Sequence, residues 1–144
     1  MDINGYKSII KVLAAYVLLY FCFLYLQSGI KFYVYFQAKS APKDKGEKVS
    51  YASIKYNSKD RLSLMVDRTV GNTMEQAIPF LLALGLNTVF ISADNAAWYG
   101  WIYIATRSYY PFAFRLGLPY LLFSTIPGYG CIAALLWEVV SKAI

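Results

Sequence analysis

Arg68, Asn72, Glu75 and Pro79 stand four, three and four residues apart in the segment RTVGNTMEQAIP, so on a helix they form one stripe. The stripe carries a guanidinium fork, an amide with both donor and acceptor, and a carboxylate. Such a set suits a small zwitterion: the guanidinium takes a carboxylate, the carboxylate an ammonium, the amide a peptide group. The flanking residues are apolar enough for a bilayer, where a charge costs on the order of 2.5–3.5 kcal/mol even on lenient insertion scales. Groups of this kind face a packed interior or a polar ligand. Arg107, Tyr110 and Phe114 share a face of a later apolar segment by the same spacing. If the two segments run antiparallel, Arg107 and Tyr110 reach the depth of Arg68, Asn72 and Glu75, and together they make one polar pocket. On the residues alone, an intramembrane ion pair that merely fixes helix packing accounts for them equally well.

The elements that position these groups are apolar and helical. With 144 residues, 58% of them hydrophobic, 18% aromatic and only 15% charged, the composition is that of a polytopic membrane protein rather than a soluble domain. The expected spans are about 9–36, 62–91, 97–114 and 120–142, with a basic loop over 37–61, in a single four-span domain covering 1–144. The fold class is all-α: an integral membrane, up-and-down four-helix bundle. Lys7 and Lys11 precede the first span like the start of a signal peptide. The apolar run behind them is too long for one, so it reads as a retained helix. Pro79 should kink the second helix. Residues 92–95 read as a tight turn, 115–119 as a short link, and Pro127, Gly128 and Gly130 as a local break in the fourth helix.

The net charge of +6 does not point to nucleic acid. From Ala38 to Arg61 seven basic residues face three acidic ones, without the stacking aromatics of a nucleic-acid motif. This bias instead holds a short loop on the cytoplasmic side or its organellar equivalent, which leaves both termini on the opposite side. The lysines also suit anionic headgroups, so membrane lipid is an expected partner. Histidine is absent, which removes histidine metal sites and a histidine general base; no metal site is expected. Cys22 and Cys131 lie in separate apolar segments and read as small hydrophobes.

The pattern Arg-x-x-x-Asn-x-x-Glu followed shortly by Pro, at Arg68, Asn72, Glu75 and Pro79, resembles that of the membrane-associated proteins in eicosanoid and glutathione metabolism, the MAPEG family. Arg107 with Tyr110 three residues on, and four spans with a basic first loop, are similar to it as well. The resemblance implies a homotrimer that binds glutathione between adjacent subunits, held by Arg68, Asn72, Glu75, Arg107 and Tyr110. It implies a glutathione-dependent transferase or peroxidase acting on hydrophobic electrophiles or lipid hydroperoxides. The alternative is a non-catalytic membrane subunit of a larger assembly that keeps the family scaffold. Two departures bear on catalysis. Phe114 stands where the family carries a second tyrosine, and Gly117, Leu118 and Pro119 occupy the region of a fourth-helix arginine. Arg115 is then the nearby cation left to stabilise a thiolate as a catalytic group, with Arg107 as the other candidate.

Overall fold

The computed structural model describes residues 6–41, 50–56 and 60–143. It contains α1 (Lys7–Ser40), a short α2 (Tyr51–Lys55), α3 (Arg61–Phe90), α4 (Ala93–Leu116) and α5 (Leu118–Ala143). No strand occurs among the described residues. Residues 42–49 and 57–59 of the basic loop, with Lys43, Lys45, Lys48 and Lys59, lie outside them.

At 1.5 Å per residue, the four long helices extend about 36–51 Å, each longer than a hydrocarbon core of about 30 Å. α1 and α5 are also apolar enough to cross a membrane, with mean hydropathies of 2.2 and 1.4 over their most apolar windows. α3 falls short of that criterion because its first half carries Asp67, Arg68, Asn72, Glu75 and Gln76. Large apolar side chains cover the outside, among them Leu18, Phe21, Val89, Trp98, Phe123 and Trp137. An apolar exterior of this extent fits lipid and not water.

The helix ends show how the chain runs. Ser8 at the start of α1 donates to Asp94 at the start of α4 (2.6 Å). Asn87 near the end of α3 donates to Glu138 near the end of α5 (2.8 Å). At the other end, Arg61 opening α3 donates to the Arg115 carbonyl closing α4 (2.9 Å). Hence α1 and α4 point one way, α3 and α5 the other. Their common core contains Val12, Tyr16, Phe80, Leu84, Tyr103 and Leu135, with the Phe80 and Tyr103 rings stacked at 3.8 Å between centroids. Gly100 lets α1 approach α4: a Cβ there would meet Val12 Cγ1 at 2.5 Å.

Several local expectations are corrected. The 92–95 segment is no free turn but the start of α4, with Ser92 as N-cap accepting from Asn95 N (3.5 Å) and Asp94 in the first turn, where the helix dipole favours a negative charge. The expected link over 115–119 shrinks to Gly117. Its φ of 109° lets one residue reverse the chain, and Pro119 falls in the first turn of α5, where no amide donor is needed. α5 runs unbroken through Pro127, Gly128 and Gly130. A bilayer-length apolar helix packed along α4 tolerates these residues because neighbours supply the contacts. Within the basic loop, Ser50 caps the unforeseen α2 by accepting from Ser53 N (3.1 Å).

Candidate functional site

The first half of α3 and the second half of α4 enclose a cavity of about 280 Å³, lined by Asp67, Arg68, Gly71, Asn72, Glu75 and Tyr110. Four of the five ligand-holding residues expected from the sequence therefore share one wall. The i, i+4, i+7 spacing of Arg68, Asn72 and Glu75 places them along one helix face, and the antiparallel run of α4 brings Tyr110 opposite. Arg68 and Glu75 are exposed at the cavity rim, and Asn72 is half-buried. No ion pair joins Arg68 to Glu75; among the described residues Lys31–Asp67 is the only one (2.7 Å). Both charged groups at the rim are thus free for a ligand.

Arg107 sits behind that wall. It is completely buried, and its Nη1 donates to Asn72 Oδ1. Its Nη2 donates to the Ser124 carbonyl of α5 (3.3 Å). Its guanidinium lies over the rings of Tyr103 and Tyr110, at 5.4 and 5.5 Å from their centroids. Both contacts use the negative ring faces in place of a carboxylate. Nε has no partner. α5 makes room for this group at Gly128, where a Cβ would lie 3.2 Å from both Cζ and Nε of Arg107.

This network orients Asn72. Arginine only donates, so the oxygen of Asn72 must face it. Gln76 Nε2 adds a second donor to that oxygen (3.3 Å), and Gln76 is fixed in turn by Tyr103 OH, which donates to its Oε1 (3.3 Å). With Oδ1 doubly engaged inward, the NH2 of Asn72 is left for the cavity. The wall therefore offers an outward amide donor beside a guanidinium and a carboxylate, with a second positive charge immediately beneath. A ligand carrying carboxylates and one ammonium has complementary partners here.

Arg115 stands elsewhere. It lines an apolar cavity with Cys22, Phe23, Leu26, Met65, Pro111 and Phe112, on the α1 side of the α3–α4 pair, and a second one with Arg61 and Phe114. Phe114 is stacked loosely on Tyr110 at 6.3 Å.

A family model described as the MAPEG family matches residues 9–141. The chain belongs to the MAPEG family. That makes it a membrane protein of a group concerned with eicosanoid and glutathione metabolism. Neither a curated protein nor a solved structure matches it. Within this MAPEG chain, sequence reasoning assigns none of Gln76, Tyr103 and Gly128 to the site, taking Gln76 for a contact between helices and Gly128 for part of a break, although all three hold Asn72 and Arg107 in place. Gln76 lies one turn after Asn72, and Tyr103 one turn before Arg107, so helical spacing could have pointed to both. It also passed over Asp67 and Gly71 in the cavity wall. No spacing signal marked Gly128.

Proposed function

We propose that this MAPEG protein crosses the bilayer four times in up-and-down order, assembles as a homotrimer, and binds glutathione in the α3–α4 cavity. In this reading Arg68 takes a glutathione carboxylate and Glu75 its ammonium. The Asn72 NH2 and Tyr110 hold the peptide groups. The observation that carries the reading is Arg107: a wholly buried guanidinium, unpaired with any carboxylate among the described residues, directly behind the polar wall. A buried charge without a counter-ion costs on the order of several kcal/mol even after the surroundings relax. An anionic ligand nearby offsets that cost.

Glutathione also supplies the chemistry. A positive charge beneath the cavity favours the thiolate, which is the nucleophile. With a hydrophobic electrophile, the sulfur forms a bond to carbon and the leaving atom departs with the electron pair, taking up the proton. With a lipid hydroperoxide, the sulfur attacks the outer oxygen, the O–O bond breaks, and the lipid alkoxide is protonated to an alcohol. A second glutathione then reduces the resulting sulfenic acid, giving glutathione disulfide and water. Arg107 lies nearest the cavity and is assigned the stabilising role; Arg115 lines the neighbouring apolar cavities.

Absorbance in the thiolate band, followed as glutathione is added to detergent-solubilised protein, tests this. A rise that survives Arg115→Ala and disappears in Arg107→Met supports the assignment. Binding without any rise would identify a retained pocket in a non-catalytic subunit. No binding at millimolar glutathione would contradict the proposal as a whole.

A further inference from the structure

A slot that shares no wall residue with the polar cavity lies among α1, α3 and α4, and the proposed function does not use it. Its deeper part, about 370 Å³, is walled by Cys22, Phe23, Leu26, Met65, Pro111 and Phe112 and is mostly apolar, with Ser108 and Arg115 as its polar members. Its outer part, about 350 Å³, adds Arg61, Leu62, Phe114 and Leu116. The two share Met65 and Arg115, so they form one continuous groove. The groove is greasy inside and doubly cationic at its mouth.

The mouth is built rather than incidental. Arg61 Nη2 donates to the Arg115 backbone carbonyl (2.9 Å), which ties the start of α3 to the end of α4, and both arginines line the outer part. Two guanidiniums on one groove favour an anion there. Among the described residues no acidic side chain lines either part of the groove, and neither guanidinium pairs with a carboxylate. Asp60, the neighbour of Arg61 in sequence, turns its carboxylate onto Ser63 N instead (2.7 Å). Arginines at a helix end can simply reach to the interface to hydrate. That account leaves the apolar groove running inward from between them unexplained.

We infer that this groove holds an anionic phospholipid from the surrounding bilayer, its phosphate between Arg61 and Arg115 and one acyl chain laid inward along Met65 and Phe112 toward Cys22. Guanidinium forks match a phosphate bidentately, and basic pockets between membrane helices at the headgroup level bind such lipids. The groove volume is in the range that holds one small apolar ligand, roughly 300–1,000 Å³. A single acyl chain fits that scale.

Cys22 reports occupancy because its thiol is exposed on the groove. Cys131 is buried and free, so it reports unfolding. The full chain, purified in a neutral detergent, is titrated with phosphatidylglycerol while the rate of Cys22 alkylation by N-ethylmaleimide is followed. Phosphatidylglycerol is expected to slow alkylation in the wild type. The Arg61→Ala/Arg115→Ala double variant should need about tenfold more lipid for the same protection, as expected from losing charge-assisted contacts. Arg115→Lys should fall between. Equal protection by diacylglycerol, or an unchanged titration in the double variant, overturns the inference. Oleate protecting at lower concentration than phosphatidylglycerol overturns it in favour of a free carboxylate. Protection that needs no lipid and follows protein concentration means that a second copy covers the groove. If the double variant exposes Cys131, native mass spectrometry of the delipidated wild type decides. Preferential retention of phosphatidylglycerol over phosphatidylcholine is expected, and equal retention overturns the inference. None of these outcomes depends on glutathione binding.

Discussion

Two polar clusters bind α3, α4 and α5 together, one in each half of the molecule, and they are built alike. Toward one end, Asn72 of α3, Arg107 of α4 and Ser124 of α5 meet. Toward the other, Asn87 of α3, Asn95 and Tyr99 of α4 and Glu138 of α5 meet. Each has an asparagine on α3 bonded to a charged residue that lacks an opposite charge among the described residues. They differ in whether that charge is satisfied. Glu138 accepts from Asn87 (2.8 Å) and Asn95 (2.5 Å) on one oxygen and from Tyr99 (3.2 Å) on the other. The cavity at that end is lined by Phe90, Val139, Lys142 and Ala143, none of them from the cluster. Arg107 keeps an unpartnered Nε and backs a polar cavity. One cluster is a closed lock between helices. The other is a buried guanidinium without a full set of acceptors, one layer behind a polar cavity whose wall it orders through Asn72.

The largest expected contrast comes from the charges themselves. Arg107→Met preserves volume and relieves a desolvation cost, so thermal stability in detergent should change by less than about 1 kcal/mol. Glutathione affinity should fall about a hundredfold in a calorimetric titration, since charge-assisted support of an anion is worth roughly 3 kcal/mol. Glu138→Ala should do the reverse. It removes the acceptor of Tyr99 OH and one acceptor each from Asn87 and Asn95, which keep the Leu135 carbonyl and Asn87 Oδ1, and should cost about 1–2 kcal/mol in the unfolding transition, with affinity unchanged. Next comes Gly128→Ala, whose methyl group pushes on Arg107. An expected loss of about 1–2 kcal/mol by overpacking should be accompanied by weaker glutathione binding, because the displaced guanidinium no longer holds Asn72. The smallest effect belongs to Asp67→Asn. Its pair with Lys31 is partly exposed, and Gln27 also donates to it (2.7 Å). About 0.5 kcal/mol is expected from the unfolding transition.

The sequence made the open cluster far more legible than the closed one. Arg68, Asn72 and Glu75 announce themselves by charge inside an apolar run, at helical spacing, and the four long helices follow from the apolar segments that contain them. Asn87, Asn95 and Glu138 are as polar but lie near helix ends, where polar residues are unremarked because water is close. Only the fold shows that they converge. Gly128 reads as part of a break, since glycine beside proline is ordinarily a disruptor. Its use is spatial: it is the gap into which Arg107 fits, which depends on the α4–α5 contact and on nothing within α5. Ser92 and Asn95 read as a turn because capping residues and turn residues are the same types. Arg115 lies five residues beyond Tyr110 in α4. At 3.6 residues per turn that spacing carries it to a different face, so nearness in sequence was a poor guide to which cavity it lines.

A glutathione titration of Asn72→Asp beside Glu138→Ala tests the distinction between the clusters most directly. Aspartate still accepts from Arg107 and Gln76, so the fold is kept, but it turns the outward amide donor into a negative charge. The expected result is that wild type and Glu138→Ala bind glutathione alike, while Asn72→Asp, folded, binds at least about tenfold more weakly. Binding by Asn72→Asp at wild-type strength, or equal loss in both variants, would contradict it.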